Sequence, residues 1–286
     1  MQHLALAKFM AQLLESNDIL RSIQTTYSKT IWSRFIESIK NYELLKPNDK
    51  VCVCISGGKD SALLAVLMKQ LLKISDFPFE LKFLVMDPGY RKENREILEN
   101  NLKLLGIDAV IKTNELFSVA QKLDEKHPCY MCSKMRRGNL YSYAQELGCN
   151  KIALGHHFDD VIETNLMSMI FGSQVRTMMP KVHSENFAGM ELIRPLYLIR
   201  EADIIRWRDY NKLKFLRCAC PISEEGNTEE DSTRFYVKEL IKTLKKHNKQ
   251  ADINIFRSME NVQLGAVVSY KDKNGKVHNF LDDYDI

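Results

Sequence analysis

The sequence predicts an α/β protein: a doubly wound parallel sheet with a helical N-terminal lead-in and a C-terminal helical extension. Three observations lead to this prediction. Short apolar runs rich in β-branched residues alternate with segments of helical periodicity. Glycines follow the ends of several of these helical segments. A Ser-Gly-Gly turn joins the first apolar run to the helix after it. This alternation is typical of parallel sheets with helices on both faces.

The elements are assigned in chain order. Residues 1–46 contain neither Gly nor Pro, and Ile31, Phe35 and Ile39 recur at intervals of four, which predicts a helical lead-in. The run Val51–Ile55 is predicted to be a buried parallel strand. The further predicted elements are a helix at 60–73, a strand at 80–86, a helix at 91–105, a strand at 110–113, a helix ending at 147, a strand at 151–154 and a helix at 159–171.

Three regions follow from this pattern. Residues 1–46 form the lead-in, and residues 47–222 hold the strand–helix alternation together with the clustered cysteines. Residues 223–286 form a tail, in which an acidic stretch precedes a basic helix predicted at 233–248. Asn274-Gly275 lies between alternating residues and predicts a β-hairpin near the end.

Composition excludes several classes of protein. The chain has 286 residues, of which 45% are hydrophobic and 27% charged, which excludes collagen-like, mucin-like and wholly disordered chains. Its net charge of +4 permits nucleic-acid binding without requiring it. The longest apolar run, 62–68, falls far short of the roughly 20 residues of a membrane-spanning helix. We therefore expect no membrane partner and a cytoplasmic location.

The most specific motif is the hexapeptide SGGKDS, placed between a strand and a helix. The glycines let backbone N–H groups turn toward an anion, and the helix N-terminus adds a positive dipole end. The lysine supplies a full charge, and the two serines supply hydroxyl donors. This pattern predicts a phosphate or pyrophosphate site, with a capped glycine turn as the simpler alternative. The residues concerned are Ser56, Gly57, Gly58, Lys59, Asp60 and Ser61.

Two further loops follow predicted strands. In doubly wound sheets, ligands bind outside the carboxyl ends of the strands, so loops 56–61, 87–90 and 155–160 form the candidate site. Asp87 is expected to contact adenosine, although a turn role is the alternative. Asp159 or Asp160, in the motif GHHFDD that begins at Gly155, is expected to cap a helix and to help hold an ATP-bound Mg²⁺.

Seven cysteines are distributed unevenly. Cys129 and Cys132 form a CxxC pair, and the arginines at 136 and 137 favour their thiolate forms. Cys218 and Cys220 lie far downstream. Two thiols plus one more would make a three-cysteine site with an open position, whereas two plus two would close a structural zinc site. The other cysteines are predicted to pack in the core: Cys52, Cys54 and Cys149.

Together these motifs resemble a known family. SGGKDS is similar to the pyrophosphatase loop of the N-type ATP pyrophosphatase (PP-loop) superfamily, which has the adenine nucleotide α-hydrolase-like fold. With PCYMC, GHHFDD followed by IET, and RPLYLIRE at 194–201, the chain resembles the tRNA 2-thiocytidine synthetases across residues 28–264. The resemblance implies ATP-dependent thiolation of cytidine 32 in tRNA, with release of AMP and pyrophosphate. It also implies Mg²⁺, a [4Fe-4S] cluster and a sulfur donor, either a cysteine desulfurase or sulfide.

The resemblance also implies roles for particular residues. Lys59 and Asp60 are the expected catalytic residues, and Cys129 and Cys132 carry over as cluster ligands. The third ligand departs from the family pattern, because this chain has Cys-Ala-Cys-Pro where a second CxxC is usual. Cys220, which precedes the proline, is favoured, with Cys218 as the alternative. The expected ATP and pyrophosphate ligands are Ser56, Gly57, Gly58, Lys59, Asp60, Ser61, Asp87, Gly155 and Asp160.

Alternatives stay open at this point. One is a PP-loop enzyme with another substrate, such as a tRNA 2-thiouridine or lysidine synthetase. Another is a non-catalytic RNA-binding protein with a Cys₄ zinc site. The basic residues of 238–249 and of 200–217 are expected to follow RNA phosphates, with a solvated helix face as the alternative reading. A homodimer is also left open.

Overall fold

One six-stranded sheet organises the chain. The computed structural model describes residues 17–113, 128–216 and 233–284, with 128–134 and 283 described by backbone alone. The strands of the sheet are β1 (Lys50–Ile55), β2 (Glu80–Asp87), β3 (Ala109–Thr113), β4 (Lys151–Ala153), β5 (Lys181–His183) and β6 (Glu191–Ile193). They lie in the order β3-β2-β1-β4-β6-β5. All neighbouring pairs are parallel except β5 and β6, which are antiparallel.

Helices cover both faces of this sheet. They are α1 (Ser33–Asn41), α2 (Lys59–Ile74), α3 (Lys92–Leu104), α4 (Pro128–Glu146), α5 (Phe158–Gly172), α6 (Glu201–Tyr210), α7 (Thr233–His247) and α8 (Ala251–Arg257). The predicted doubly wound α/β fold is confirmed, and the strands and helices assigned from sequence end within one residue of their observed bounds. The predicted hairpin is also present, as β7 (Ser269–Lys271) and β8 (Val277–Asn279).

Two observed strands and two observed α-helices were not predicted. Strands β5 and β6 have three residues each, too few for an alternating pattern to show. Helix α6 lies in a stretch interpreted from sequence only as basic, because its charged residues obscure its apolar ones. Helix α8 has seven residues, fewer than a sequence pattern needs to stand out.

Strand β1 separates two apolar layers. Val51, Val53 and Ile55 point toward α2 and the lead-in, in a core that includes the fully buried Phe35 of α1. Cys52 and Cys54 point to the opposite face and pack with residues of α4 and β4. Successive side chains of a strand point to opposite faces, so β1 contributes to both cores. The predicted packing role of Cys52, Cys54 and Cys149 is confirmed, since all three are buried.

The N-terminal lead-in is part of the main core. Residues 17–24 are helical, a π-helical turn spans Ser28–Trp32, and α1 follows. Ile31 and Phe35 are buried in the same cluster as the apolar face of α2. The boundaries at 46/47 and 222/223 stay predictions, and the acidic stretch before α7 lies outside the described residues. Every helix in the described part of the chain lacks the length or the apolar character needed to cross a lipid bilayer.

The strand order reverses beside β1. The chain runs outward from β1 through β2 to β3, and then returns to the other side of β1 as β4. The loops that leave β1 and β4 therefore run in opposite directions. A crevice opens between them at the carboxyl end of the sheet, which is where ligands bind in folds of this class.

Candidate active site

A cavity of about 400 Å³ lies at this crevice. Its size falls in the range of roughly 300–1,000 Å³ that is usual for small-molecule sites. Its lining divides into apolar side chains, such as Cys54, Met86 and Leu140, and polar ones, such as Ser56 and Asp160. A nucleotide has the same division between an apolar base and polar phosphates. The complete lining is Cys54, Ile55, Ser56, Asp60, Ser61, Met86, Tyr90, Arg136, Arg137, Leu140, Leu154, Gly155, His156, Asp160 and Arg234.

The loop between β1 and α2 is held by its own serines. Ser61 Oγ accepts a hydrogen bond from the Ser56 N–H at 3.1 Å and donates to the Gly58 carbonyl at 3.1 Å. Gly57 has φ +82°, a conformation that L side chains rarely adopt, and a Cβ there would lie 2.7 Å from Leu216. The loop therefore turns sharply into α2, whose first N–H groups have no partner within the helix. This arrangement suits an anion.

Gly155 packs directly against the start of α2. A Cβ at this position would lie 3.0 Å from both the Asp60 carbonyl carbon and the Ser61 nitrogen. Both atoms are backbone, so neither can rotate away. The glycine thus lets the loop after β4 approach the SGGKDS loop closely, which brings two of the predicted site segments together.

Lys59 lies between two carboxylates. Its ammonium is 3.2 Å from Asp60 and 3.0 Å from Glu201 at the start of α6. Burial disfavours the charged form of Lys59, but these two acids outweigh burial and raise the pKa of Lys59 above its ordinary value. Burial also raises the pKa of Asp60, against the opposing pull of His157 and Lys59. Ser56, Asp60 and Ser61 line the cavity, whereas Gly57, Gly58 and Lys59 of the same loop are not among its lining residues.

The two aspartates of GHHFDD have different partners. Asp159 accepts the Glu201 backbone N–H at 2.6 Å, which ties the start of α5 to the start of α6. Asp160 accepts the His157 N–H at 3.0 Å and pairs with Arg234 at 2.7 Å. Burial alone would raise the pKa of Asp160, but His157 and Arg234 outweigh it and hold this pKa below its ordinary value. Asp160 is therefore a carboxylate at neutral pH.

Helix α7 contributes two cations to the same cluster of acids. Arg234 pairs with Asp160 and lies 3.3 Å from Glu163, while Lys238 lies 3.7 Å from Glu163 and 3.4 Å from Glu201. Burial raises the pKa of Glu163 to about 7 despite these cations. Residues one helical turn apart share a face, so Arg234 and Lys238 point to the same side of α7. Lys238, expected to follow RNA phosphates, instead contacts internal acids.

Three residues that line the cavity have buried polar atoms that make no hydrogen bond. Within the described part of the chain, these atoms are Arg136 Nε, His156 Nδ1 and Asp60 Oδ1, the last of which lies 3.2 Å from the Lys59 ammonium as an ion pair. Burial, followed by the charge of Arg194, lowers the pKa of His156 to about 4, so its ring is neutral at physiological pH. An unpaired buried polar group is costly. These atoms are suited to contacts with a polar ligand.

Asp87 serves a turn in this structure. Its carboxylate accepts the N–H groups of Gly89 and Tyr90 at 2.9 and 2.7 Å, and it also pairs with Arg95. It is not among the described residues that line the cavity. Its predicted contact with adenosine stays a prediction.

The CxxC pair begins helix α4. Positions 129 and 132 lie on the helix face that also carries Arg136 and Leu140, because spacings of three and four residues stay on one side of a helix. Arg136 and Leu140 line the cavity, so the helix that begins with the pair borders it. Cys218 and Cys220, the candidates for a third ligand, lie outside the described residues.

Two thiols at this spacing, followed closely in sequence by the positive charges of Arg136 and Arg137, suit one edge of an iron–sulfur cluster. Among the described residues, no group of three or more His, Cys, Asp or Glu side chains is assembled to hold a metal ion. The contributions of Asp159 and Asp160 to Mg²⁺ binding therefore stay predictions.

Sequence reasoning missed the acid–base cluster around Lys59. Glu163 and Glu201 lie within the quoted motifs, in IET and at the end of RPLYLIRE, but were given no role. No sequence motif around Arg234 indicates a role in the site. These side chains meet only because α5, α6 and α7 converge in space.

Comparison with known proteins agrees with the geometry. The PP-loop domain family matches residues 27–269. A tRNA-cytidine(32) 2-sulfurtransferase of Geotalea uraniireducens is 33% identical over 238 residues, covering 82% of this chain and 91% of the relative. Its counterpart in Pseudomonas fluorescens strain Pf0-1 is 34% identical, covering 79% of this chain and 81% of the relative.

A solved structure shares the fold. The U34-tRNA thiolase NcsA from Methanococcus maripaludis, determined with its [4Fe-4S] cluster, is 24% identical with a TM-score of 0.62. The match covers 81% of this chain and 79% of that one. With the family match spanning most of the chain and sulfurtransferase relatives at one third identity, the chain belongs to the PP-loop family, in the group of the tRNA-cytidine(32) 2-sulfurtransferases.

Proposed function

We propose that this protein is an ATP-dependent tRNA sulfurtransferase that replaces the C2 oxygen of cytidine 32 with sulfur. One observation carries the proposal: the cavity lined by Ser56 and Ser61 of the SGGKDS loop is also lined by Arg136 and Leu140 of α4, the helix that begins with the CxxC pair. Nucleotide activation and sulfur delivery would then meet at one place. The sulfurtransferase relatives support cytidine as the substrate over uridine or a lysidine precursor.

The first step would be activation of the base. The C2 oxygen attacks the α-phosphorus of ATP, so an O–P bond forms while the bond from this phosphorus to the pyrophosphate oxygen breaks. Ser56, Ser61 and the first N–H groups of α2 would bind the departing pyrophosphate. Lys59 would offset its growing negative charge, and Asp160 would help hold the Mg²⁺ that accompanies ATP.

The second step would be substitution at C2. Sulfide attacks this carbon, so a C–S bond forms while the bond from C2 to the AMP oxygen breaks, and the products are thiolated tRNA, AMP and pyrophosphate. Cys129, Cys132 and Cys220 would hold a [4Fe-4S] cluster, with Cys218 as the alternative third ligand. When bound, this cluster would supply a metal position that no protein thiolate fills, suited to presenting sulfur as a nucleophile.

The test is direct. Anaerobically purified protein is incubated with ATP, Mg²⁺, sulfide and unmodified tRNA, and the nucleosides are analysed by mass spectrometry. We expect 2-thiocytidine at position 32 together with equal amounts of AMP and pyrophosphate. Thiouridine in place of thiocytidine would overturn the substrate assignment. One zinc per chain, with no iron and no nucleotide turnover, would favour the non-catalytic alternative.

Other aspects belong to the same proposal. The sulfur donor is sulfide or a cysteine desulfurase, and the two are separated by supplying each in turn. A homodimer is tested by sedimentation of the reconstituted protein. A cytoplasmic location follows from the proposed substrates, ATP and tRNA.

A further inference from the structure

We infer that Glu201 is a positioning residue that holds Lys59 at the edge of the pyrophosphate site, through the contact between its carboxylate and the lysine ammonium. The inference deepens the proposed function and rests on it, because that function assigns Lys59 to the departing pyrophosphate. Lys59 lies in the SGGKDS motif, whereas the acid that faces it lies 142 residues further along the chain.

Lys59 needs such a partner because of where it stands. It is the first residue of α2, after the N-cap Gly58. The N-terminal end of a helix carries a positive partial charge, which disfavours a cation there. A lysine side chain also has four rotatable carbons and loses considerable freedom when it is fixed. Without a carboxylate opposite, the ammonium would swing outward into solvent.

Glu201 is well placed to prevent this. Its Oε1 accepts from Lys59 Nζ at 3.0 Å, and its Oε2 lies 3.4 Å from Lys238 Nζ. Its backbone N–H donates to Asp159, which fixes the start of α6. The carboxylate is therefore held from two directions, and it can hold Lys59 in turn.

The two ion pairs of Lys59 leave its ammonium able to bind a phosphate. An ammonium has three N–H donors, and the contacts to Asp60 and Glu201 engage two of them. The third has no partner among the residues that the structure describes, and it is left for a phosphate oxygen. Asp60 is the neighbour of Lys59 in sequence and moves with the same helical turn, so among the described residues only Glu201 fixes the ammonium relative to a different element.

The charged groups around Lys59 come from every element packed on it. Asp60 lies on α2, Glu201 on α6, Lys238 on α7 behind Glu201, and His157 at the start of α5, 3.8 Å from Asp60. Glu201 is an anion in this setting, because Lys59 and Lys238 lower its pKa more than burial raises it. Replacing it by glutamine keeps the hydrogen-bonding oxygen but removes the charge.

The experiment compares Glu201→Gln and Glu201→Asp with Glu239→Gln, an exposed carboxylate of α7 that pairs with Lys242. First, the full-length proteins are treated with acetic anhydride over a range of pH, and acetylation of Lys59 is quantified by mass spectrometry. Only the uncharged amine reacts. We expect the half-reaction pH of Lys59 to fall by about 1 pH unit in Glu201→Gln, because one opposing charge is lost. It should stay near wild type in the other two.

Second, pyrophosphate release is measured with ATP and tRNA. We expect kcat to fall at least about tenfold in Glu201→Gln, with KM for ATP within about threefold of wild type. Glu201→Asp should recover part of the rate. Thermal unfolding of each variant confirms that the comparison is made between folded proteins.

The two measurements separate this inference from the proposed function. If wild-type protein releases no pyrophosphate with tRNA, the proposed function fails, while the acetylation profile still decides whether Glu201 holds Lys59. An unchanged Lys59 profile in Glu201→Gln would overturn the inference whatever the activity. A rate loss equal in Glu201→Gln and Glu239→Gln would overturn it as well.

Discussion

Substitution of Gly155 tests the central feature of the site, the contact between the loop after β4 and the first turn of α2. In Gly155→Ala the added methyl group would lie 3.0 Å from two backbone atoms and 3.2 Å from Ser61 Cα. Ordinary contact begins near 3.4 Å, so the loop and the helix must separate by a few tenths of an ångström. Overpacking of this kind costs about 1–3 kcal/mol of stability.

The loss should be visible in two measurements. A loss of 1 kcal/mol lowers the melting temperature of a protein near this size by about 2–4 °C, so thermal unfolding should show a clear decrease. Binding of a non-hydrolysable ATP analogue, measured by calorimetry, should weaken as well, because the displaced atoms belong to the turn that would bind the phosphates. The second effect distinguishes a local change at the site from general destabilisation.

Gly138→Ala is the matched control. Gly138 lies within α4, and a Cβ there meets nothing within 4 Å among the described atoms. Alanine is favoured over glycine inside a helix by about 0.5–1 kcal/mol, so this variant should be slightly more stable than wild type. If Gly155→Ala matched wild type in both melting temperature and nucleotide affinity, the close approach of the two loops would be refuted.

Three further predictions address the chemistry. Lys59→Ala should lower pyrophosphate release at least about tenfold, since one charge-assisted contact is lost, while the iron content stays unchanged; near-normal tRNA thiolation would contradict the loop assignment. Iron content should fall sharply in Cys220→Ser and much less in Cys218→Ser, and the reverse ranking would make Cys218 the third ligand. Burial raises the pKa of Glu163 to about 7, so the folded chain holds this proton more tightly than the unfolded chain, and the resulting stability is lost as pH rises through that value. In denaturant titrations, the stability of Glu163→Gln relative to wild type should therefore be higher at about pH 8 than at about pH 5. The stability of Glu239→Gln relative to wild type should be the same at both pH values.

The parts of the fold that were predicted share a simple cause. The run Val51–Ile55 is buried on both faces, and the helix after it has a strong apolar pattern, so local sequence was sufficient. Strands β5 and β6 were missed because three residues are stabilised by their neighbours in the sheet and leave little trace in the sequence. Tertiary context decides such short elements.

The site residues also fall into a group that was predicted and a group that was missed. Ser56, Ser61 and Gly155 were predicted because each lies in a local motif, a turn followed by the start of a helix. Lys238 was interpreted as a surface cation because its partners lie 37 and 75 residues earlier, in Glu201 and Glu163. Charge pairing over such separations depends on how helices converge, which single-sequence periodicity does not report.

The pairing of β1 with β4 has a consequence for how the protein is made. Val51 pairs with Lys151, so the two strands that flank the crevice are separated by 100 positions in the chain. While the chain emerges from the ribosome, β1 can pair with β2 well before β4 exists. During this interval one edge of β1, with five buried residues in the finished fold, stays open to other strands. Unpaired apolar edges promote aggregation, and contacts distant in sequence form slowly. The crevice between β1 and β4 thus cannot form until β4 has been made, and the nascent protein is most exposed to misassembly just before it does.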